Sequence, residues 1–313
     1  MNITKESLIV LFLFLNININ YSQILNSKNI KIQDLSLYSK ITYLDDDNNL
    51  KYLPNYKHLE NIKLDSINYF SDSLKIKGYI MYPKNTRTEM PLIIFNRGGN
   101  RNFGNLTPSL MIYHLSLLSS KGFIIAGSTY RGNNDSQGKD EFGGKDVNDI
   151  INLISLLKES KKVNSSKIAL YGWSRGGIMT YLSLKELKSQ NIIKTAIIGG
   201  SPSNLFYTIK NRPEMEKKVF SQIIPKYNSD KNKVLTERSV LFWVNELPKI
   251  PLLIFHGLND EAVDVNQTLD LAKKLKAYQI PYKLIIYEND KHNVRKNKNE
   301  MDLTILNWLN KYL

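Results

Sequence analysis

The sequence predicts an α/β fold, in which a mostly parallel, twisted sheet carries helices on both faces. Three observations predict it. Short, almost continuously apolar runs recur along most of the chain, longer segments with helical spacing separate them, and two alternating apolar–polar runs precede them. Strands that are buried on both faces have continuous apolar sequences. Their alternation with helices therefore indicates a parallel sheet between two layers of helices.

The first predicted elements form a hairpin at one edge of the sheet. Within residues 61–83, two alternating runs are joined by the turn residues Ser71, Asp72 and Ser73. A weakly patterned lead segment precedes the hairpin, and the two together span 24–85. The next predicted strands are 91–96, 123–130, 168–172, 194–200, 251–257 and 282–288, and the predicted helices are 108–122, 146–158, 176–187, 265–278 and 298–313.

The alternation of strands and helices is interrupted at residues 202–248. This segment contains two helix-like stretches, 213–227 and 234–247. We expect a small helical insertion there, which is a candidate lid. An irregular surface loop is the alternative. Residues 24–313 are then expected to form a single domain.

The composition excludes several classes of protein. Of the 313 residues, 42% are hydrophobic, which is enough for one large core. The sequence has no cysteine, which excludes disulfides, thiol nucleophiles and thiolate metal sites. The net charge is +14, but the lysines are dispersed without a basic block, so nucleic acid is not an expected partner. No zinc-peptidase, Walker or dinucleotide motif occurs, so no metal or cofactor is predicted. The sequence pattern does not indicate the oligomeric state of the protein.

The N-terminal residues have the layout of a secretory signal. Lys5 precedes the apolar run 8–15, and a polar stretch follows. The run is too short to span a bilayer, which requires about 20 residues. We expect residues 1–23 to be a signal peptide, and the protein to be exported to the periplasm or the medium without a stable membrane span. A buried N-terminal strand or helix is the alternative.

A candidate nucleophile follows the predicted strand 168–172. Residues Gly172 to Gly176 read GWSRG and match G-x-S-x-G, with Ser174 at the centre. A serine in a tight strand-to-helix turn adopts a strained backbone that exposes its hydroxyl group. Glycine on both sides avoids a collision between strand and helix, and the helix N-terminus favours developing negative charge. The context therefore predicts a nucleophile elbow.

A serine hydroxyl requires a base, and the chain offers few. The histidines after Ser174 are His256 and His292. In folds with this elbow, the order along the chain is serine, acid and histidine. With His256 as the base, the acid would have to come from the insertion. We therefore predict His292 as the base and interpret His256 as a hydrogen-bonded residue at a strand end.

The predicted acid lies in the loop after strand 251–257. Asp260 comes shortly after that strand, and His292 comes shortly after the next one. The carboxyl ends of parallel strands gather at one edge of a sheet, so these two side chains are expected to meet. Asp264 is the main rival for the acid, and Glu261 is a weaker one.

These motifs carry a family resemblance. The stretches 172–177 (GWSRGG) and 256–263 (HGLNDEAV), together with the late His292, resemble the catalytic domain of the prolyl oligopeptidase family of α/β-hydrolases. The loop and helix before the elbow, 130–149 (YRGNNDSQGKDEFGGKDVND), are also similar to that family. The resemblance covers about residues 90–313.

The resemblance implies that Ser174 attacks a peptide or ester carbonyl, His292 transfers the proton and Asp260 holds the histidine. It implies a serine peptidase acting through an acyl-serine intermediate on a small substrate. Large members of the family carry an N-terminal β-propeller, for which this sequence has too few residues before the core. A carboxylesterase acting on small or carbohydrate-linked esters is therefore the alternative. A catalytically inactive binding protein is a third interpretation.

The predicted oxyanion hole has two donors. One is the backbone N–H of Arg175, and the other comes from the loop 95–104. Several members of the family place a tyrosine just before the paired glycines, where this sequence has Arg97. The second donor is therefore expected to be the backbone N–H of Arg97 or Gly98. The alternative for the Arg97 side chain is a surface or salt-bridging role.

Overall fold

The computed structural model describes residues 24–85 and 89–313. Its strands are β1 (Ile24–Asn29), β2 (Thr42–Leu44), β3 (Leu50–Tyr52), β4 (Ile62–Ser71), β5 (Leu74–Pro83), β6 (Met90–Asn96), β7 (Ile124–Ser128), β8 (Val163–Trp173), β9 (Ile193–Gly199), β10 (Leu252–Gly257) and β11 (Tyr282–Tyr287). Its α-helices are α1 (Tyr38–Ile41), α2 (Pro108–Ser120), α3 (Val147–Leu157), α4 (Arg175–Leu187), α5 (Leu205–Asn211), α6 (Pro213–Met215), α7 (Ser221–Ile223), α8 (Lys231–Glu237), α9 (Asn266–Ala277) and α10 (Lys298–Tyr312).

The main sheet is mostly parallel, as predicted. Within the described residues it has nine strands in the order β1-β4-β5-β7-β6-β8-β9-β10-β11. The pairs from β7 to β11 are parallel. Strands β1, β4 and β5 extend the β7 edge through antiparallel pairs. Because the strands from β6 to β11 point the same way, their C-terminal ends meet at one edge of the sheet.

The predicted hairpin is β4–β5. Ser71 pairs with Leu74, and the two residues between them, Asp72 and Ser73, both have positive φ. This is the geometry of a tight turn whose twist matches that of the flanking strands. The lead segment also contains a strand that was not predicted, β1, which pairs with β4. All of its residues are exposed, so the apolar alternation that would have indicated a strand is absent.

Helices cover both faces of the sheet and enclose two cores. On one face, α3 and α4 contribute residues such as Ile150 and Tyr181. On the other face, α2 and α10 contribute residues such as Leu115 and Ile305. The prediction of helices on both faces is confirmed.

The segment between β9 and β10 is helical, in agreement with the predicted insertion. One expected element is wrong: residues 234–247 do not form a continuous helix, because α8 ends at Glu237 and two short 3-10 turns follow. The Ser239 hydroxyl donates to the Leu235 carbonyl at 2.6 Å and accepts from the Leu205 N–H at 2.8 Å. The serine therefore satisfies a helix-end carbonyl and ties the chain to α5.

Among residues 24–85 and 89–313, no helix combines the length and the apolar character that crossing a membrane would require. The predicted signal peptide, 1–23, lies outside the described residues.

Candidate active site

Ser174 occupies the turn between β8 and α4 with a strained backbone. Its φ is 57° and its ψ is −126°, a combination that is unusual for a residue with a side chain. Its N–H donates to the Gly199 carbonyl at 2.8 Å, and its carbonyl accepts from the Gly177 N–H at 2.9 Å. These bonds fix the turn from the neighbouring strand and from the helix. The serine side chain is half-buried at the edge of the sheet.

The glycines on either side of the serine are sterically required. A Cβ atom on Gly172 would lie 2.1 Å from the Gly176 carbonyl oxygen, and one on Gly176 would lie 1.9 Å from the Asn96 carbonyl oxygen. Strand and helix therefore approach each other more closely than any side chain allows. This contact is the steric reason that the sequence pattern predicts.

Asp260 and His292 form a direct hydrogen bond. His292 Nδ1 lies 2.7 Å from Asp260 Oδ2. The other carboxylate oxygen, Oδ1, accepts from the N–H groups of Ala262 and Val263 at 2.8 and 2.9 Å. Burial by itself would raise the pKa of Asp260, but hydrogen bonds from His256 and His292 hold that pKa well below its usual range. Asp260 is therefore an ionised, oriented partner for His292.

The histidine backbone is tied to the nucleophile elbow. Trp173 Nε1 donates to the carbonyl of His292 at 2.9 Å. Gly199, which accepts the Ser174 N–H, is followed by Gly200, and a Cβ on Gly200 would lie 3.2 Å from the His292 ring. The structure thus brings the predicted nucleophile, base and acid together around the end of β9.

The two rival acids do not face a histidine ring nitrogen. Asp264 accepts from the Tyr207 hydroxyl at 2.9 Å, and this bond fastens α5 to the loop after β10. Glu261 pairs with Lys291 at the surface, where both side chains are exposed. Of the three candidates, only Asp260 contacts His292 in this way.

His256 contacts the same carboxylate, which the sequence interpretation missed. It is fully buried, with Nδ1 2.7 Å from Thr268 Oγ1 and Nε2 2.8 Å from the Val263 carbonyl. Nε2 also lies 3.2 Å from Asp260 Oδ2. The spacing of four residues between His256 and Asp260, across the end of β10, is the signal that could have indicated this contact.

Arg97 and Arg175 lie on the side of Ser174 where the oxyanion hole is predicted, which we call the oxyanion side. Arg175 is the first residue of α4, so its N–H has no acceptor within the helix. Gly98 lies against the nucleophile, because a Cβ there would be 3.1 Å from Ser174 Cβ. The Arg97 side chain is fully buried and donates to backbone carbonyls, including that of Gly98 at 2.9 Å. The alternative of a surface or salt-bridging arginine is therefore wrong.

The Arg175 side chain is also buried, beneath the elbow. It donates two hydrogen bonds to Asp140, at 2.8 and 2.6 Å, and one to Asp146 at 2.5 Å. Burial alone would raise the pKa of Asp140, but the charge of Arg175 lowers it well below its usual range. Within the described part of the chain, no group of three or more His, Cys, Asp or Glu side chains is arranged to hold a metal ion.

Comparisons with known proteins agree with this geometry. The model of the prolyl oligopeptidase family matches residues 108–313. The chain is 27% identical over 236 residues to the uncharacterized peptidase YtmA of Bacillus subtilis (strain 168), which covers 74% of this chain and 87% of that protein. It resembles the uncomplexed acylaminoacyl peptidase of Pyrococcus horikoshii with a TM-score of 0.68 and 22% identity, over 84% of this chain and 45% of that one.

Another similar structure is the acetyl xylan esterase from Paenibacillus sp. R4, with a TM-score of 0.65 and 16% identity, over 94% of this chain and 89% of that one. At such identities the solved structures establish the α/β-hydrolase fold. The chain spans less than half the length of the acylaminoacyl peptidase, but most of YtmA and of the esterase. Because the family model matches well over half of the sequence, the chain belongs to the prolyl oligopeptidase family of serine peptidases.

Proposed function

We propose that this protein hydrolyses peptide bonds in small substrates through an acyl intermediate on Ser174. The observation that carries the proposal is the 2.7 Å bond between His292 Nδ1 and Asp260 Oδ2, next to a strained serine at a strand-to-helix turn. Membership of a peptidase family supports the peptide bond as the target. The chemistry requires no other group than those of the chain and water.

The proposed reaction begins with proton transfer from Ser174. His292 Nδ1 faces Asp260, which leaves Nε2 to accept the serine proton as Oγ attacks the carbonyl carbon. The protonated ring then donates that proton to the leaving amine, and the acyl-serine ester forms. Water attacks the ester with the same histidine as base, which releases the acid and restores the Ser174 hydroxyl. The charge on Asp260 stabilises the protonated ring in both halves.

The negative oxygen of each tetrahedral intermediate needs donors that are fixed before the reaction. We assign one to the backbone N–H of Arg175, at the N-terminus of α4. The loop that carries Gly98 supplies the other, since Gly98 lies against Ser174. Arg97 contributes no side-chain donor, because its guanidinium faces the interior.

A carboxylesterase acting on small or carbohydrate-linked esters is the second candidate. The observation that favours it is the similarity to the acetyl xylan esterase, which extends over most of both chains. The peptidase of similar structure is more than twice as long as the part that this chain matches. Both reactions use the same serine, histidine and aspartate, so the fold does not separate them.

Two experiments test the proposal in sequence. A fluorophosphonate probe is expected to label the wild type and not Ser174→Ala. An unlabelled wild type would indicate a binding protein without activity, and equal labelling of the variant would refute Ser174 as the nucleophile. A panel of p-nitrophenyl esters is then compared with aminoacyl p-nitroanilides. Anilide turnover at rates comparable with the esters supports the peptidase, whereas turnover of esters alone identifies the esterase.

We also propose that the protein is exported. The support is the order of charged, apolar and polar residues within 1–23. N-terminal sequencing of the protein recovered outside the cytoplasm is expected to begin near residue 24. Recovery only inside the cell with an intact N-terminus would refute export.

A further inference from the structure

Two buried guanidinium groups hold consecutive carbonyls of the loop beside Ser174. Arg97 Nη1 donates to the Gly98 carbonyl at 2.9 Å, and Arg175 Nη1 donates to the Gly99 carbonyl at 3.2 Å. The two arginine side chains are 0% and 2% exposed. Arg97 also donates to the carbonyls of Thr129 and Arg101, each at 3.3 Å. Both carbonyls of the glycine pair therefore point into the protein.

The direction of these carbonyls fixes the direction of the amide hydrogens. The described residues contain no cis peptide bond, and in a trans peptide the C=O and N–H groups point to opposite sides. With the Gly98 and Gly99 carbonyls turned inward, the N–H groups of Gly99 and Asn100 point away from the guanidiniums. Gly99 has a φ of +70°. Successive N–H groups around such a left-handed residue form a concave site for an anion.

Two buried carboxylates lie beside the arginines. Arg97 and Arg175 both lie over the Tyr130 ring, with their Cζ atoms 5.0 and 5.4 Å from its centroid. Asp140 and Asp146 supply two negative charges through their bonds to Arg175. Burial, followed by the charge of Arg175, lowers the pKa of Arg97 to about 10, which still leaves Arg97 charged at neutral pH.

Burying an arginine whose hydrogen bonds go to carbonyls costs free energy, because its charge must be desolvated. Apolar side chains of similar size would pack there at lower cost. Three of the four carbonyls that Arg97 contacts, those of Gly98, Arg101 and Phe103, belong to the loop that lies against the nucleophile, where backbone direction matters for the reaction.

We propose that Arg97 is a positioning residue for the oxyanion hole. By holding the Gly98 carbonyl, it aims the Gly99 N–H outward, where it joins the Arg175 N–H in binding the negative oxygen. The donor is thus one residue beyond Gly98, and the guanidinium acts from behind the loop in place of a tyrosine hydroxyl in front of it. The inference rests on the proposed hydrolysis at Ser174.

The experiment compares Arg97→Met with Arg238→Met. Arg238 is the control, since it is also buried and also donates to backbone carbonyls, those of Val234 in the helical insertion and of Glu141 and Phe142 in the loop before α3, but to none in the loop beside Ser174. Turnover of p-nitrophenyl acetate and inhibition by a small alkyl trifluoromethyl ketone are measured. Ser174 Oγ adds to the ketone carbonyl carbon as its proton passes to His292, which leaves a stable hemiketal oxyanion.

For Arg97→Met we expect kcat to fall by about 10- to 100-fold with little change in KM, and the affinity for the ketone to fall by a similar factor. For Arg238→Met we expect a lower melting temperature with kcat and ketone affinity close to wild type. A folded Arg97→Met with wild-type kcat or wild-type ketone affinity would overturn the proposal.

If Arg97→Met does not fold, Arg97→Lys provides the test. Lysine keeps the buried charge but loses the planar fork that reaches several carbonyls. We expect kcat and ketone affinity to fall together by several-fold, and wild-type values for both would overturn the proposal. Fluorophosphonate labelling of wild-type Ser174 is scored separately, so the proposed function can stand when the role of Arg97 fails.

Discussion

On one side of Ser174, the side chains of Asp260 and His292 face each other across a 2.7 Å hydrogen bond. On the other side, Arg97 and Arg175 turn their side chains into the interior and present the main chain to the site. The base side acts through side-chain atoms, and the oxyanion side through amide groups whose direction the side chains control. The type of residue alone therefore indicates its role in the reaction on the base side, but is misleading about that role on the oxyanion side.

The two sides also differ in their electrostatics. On the base side, a single carboxylate is shared by two histidines and two backbone N–H groups, and the His292 side chain is 23% exposed. On the oxyanion side, two guanidiniums and two carboxylates are almost completely buried. Substitutions on the base side should therefore change the chemistry first, and substitutions on the oxyanion side should change stability together with the chemistry.

The largest effect is expected on the base side, from Asp260→Asn. The Ala262 and Val263 N–H groups hold Oδ1, so the amide nitrogen of asparagine would replace Oδ2 and face His292. Two donors would then meet, and the ring would be favoured in the tautomer that cannot accept the serine proton. We expect kcat to fall by about 10³- to 10⁴-fold, measured on a p-nitrophenyl ester.

Asp264→Asn is the control for this change. It alters the rival acid of the same loop, which binds Tyr207 and not a histidine. Its kcat should remain within a few-fold of wild type. A loss of kcat as large as that of Asp260→Asn would contradict the assignment of Asp260 as the acid.

The next effect concerns the buried ion cluster on the oxyanion side. Asp140→Asn removes a charge that makes two hydrogen bonds to Arg175, and breaking a buried pair costs about 3–5 kcal/mol. The pKa of Asp140 is depressed in the folded state. The carboxylate therefore stabilises the fold above its unfolded pKa of about 4, and this stabilisation is lost as the pH falls through lower values.

Urea denaturation between pH 3 and pH 7 measures both consequences. Asp140→Asn should lower the free energy of unfolding at pH 7. Below about pH 4, the free energy of unfolding of this variant should also decline less steeply with falling pH than that of the wild type, by up to about 1.4 kcal/mol per pH unit, the contribution of one proton. Asp135→Asn, in an exposed pair with Lys77, should change little. Equal effects of the two variants would argue against a special role for the buried cluster.

The same contrast explains what the sequence could predict. Parallel strands buried on both faces produce apolar runs, so the alternation of strands and helices was predictable. The chain order of serine, acid and histidine singled out Ser174, Asp260 and His292, which the structure brings together. Strand β1 was not predicted, because a fully exposed edge strand needs no apolar residues.

The oxyanion side was harder to predict, because carbonyl acceptors leave no trace in a sequence. Every residue has a carbonyl, so nothing in the sequence shows that Arg97 is buried among four of them. His256 was interpreted as a strand-end residue, and its contact with Asp260 depends on how the loop after β10 returns. The interpretation of His256 as a hydrogen-bonded strand-end residue is confirmed, and what the sequence did not show, for Arg97 as for His256, is a partner set by backbone direction.

A smaller effect is expected from Gly99→Ala, which probes backbone direction alone. Gly99 has a φ of +70°, and a Cβ there would lie 2.0 Å from the Phe103 carbonyl oxygen. Alanine must therefore shift the loop that carries the proposed N–H donor. We expect kcat to fall by about 100-fold in folded enzyme, equivalent to about 2.7 kcal/mol.

Gly122→Ala is the matched control for the left-handed backbone. Gly122 has a φ of +98°, and a Cβ there would meet no atom within 4 Å. The variant should lose about 1 kcal/mol of stability and keep its kcat. A Gly99→Ala enzyme as active as Gly122→Ala would mean that the loop tolerates displacement, and the oxyanion donor would have to be sought elsewhere.

The smallest effect is expected at His256, on the base side. The Val263 carbonyl can only accept, so His256 Nε2 carries a hydrogen, and this hydrogen also faces Asp260 Oδ2 at 3.2 Å. His256→Leu removes one of the two donors to that oxygen. The carboxylate then interacts more strongly with the protonated form of His292, and we expect the acid limb of the kcat/KM profile to shift to higher pH.

His256→Gln separates this electrostatic effect from packing. Glutamine can place an N–H near the position of Nε2, so its acid limb should stay close to that of wild type, although both variants lose part of the buried contact with Thr268. A change in stability alone cannot shift the acid limb of a kcat/KM profile that is measured on folded enzyme. A shift in His256→Leu that is absent from His256→Gln would therefore show that His256 acts on the orientation and charge of Asp260. If the acid limb is unchanged in both variants, the role of His256 is confined to packing.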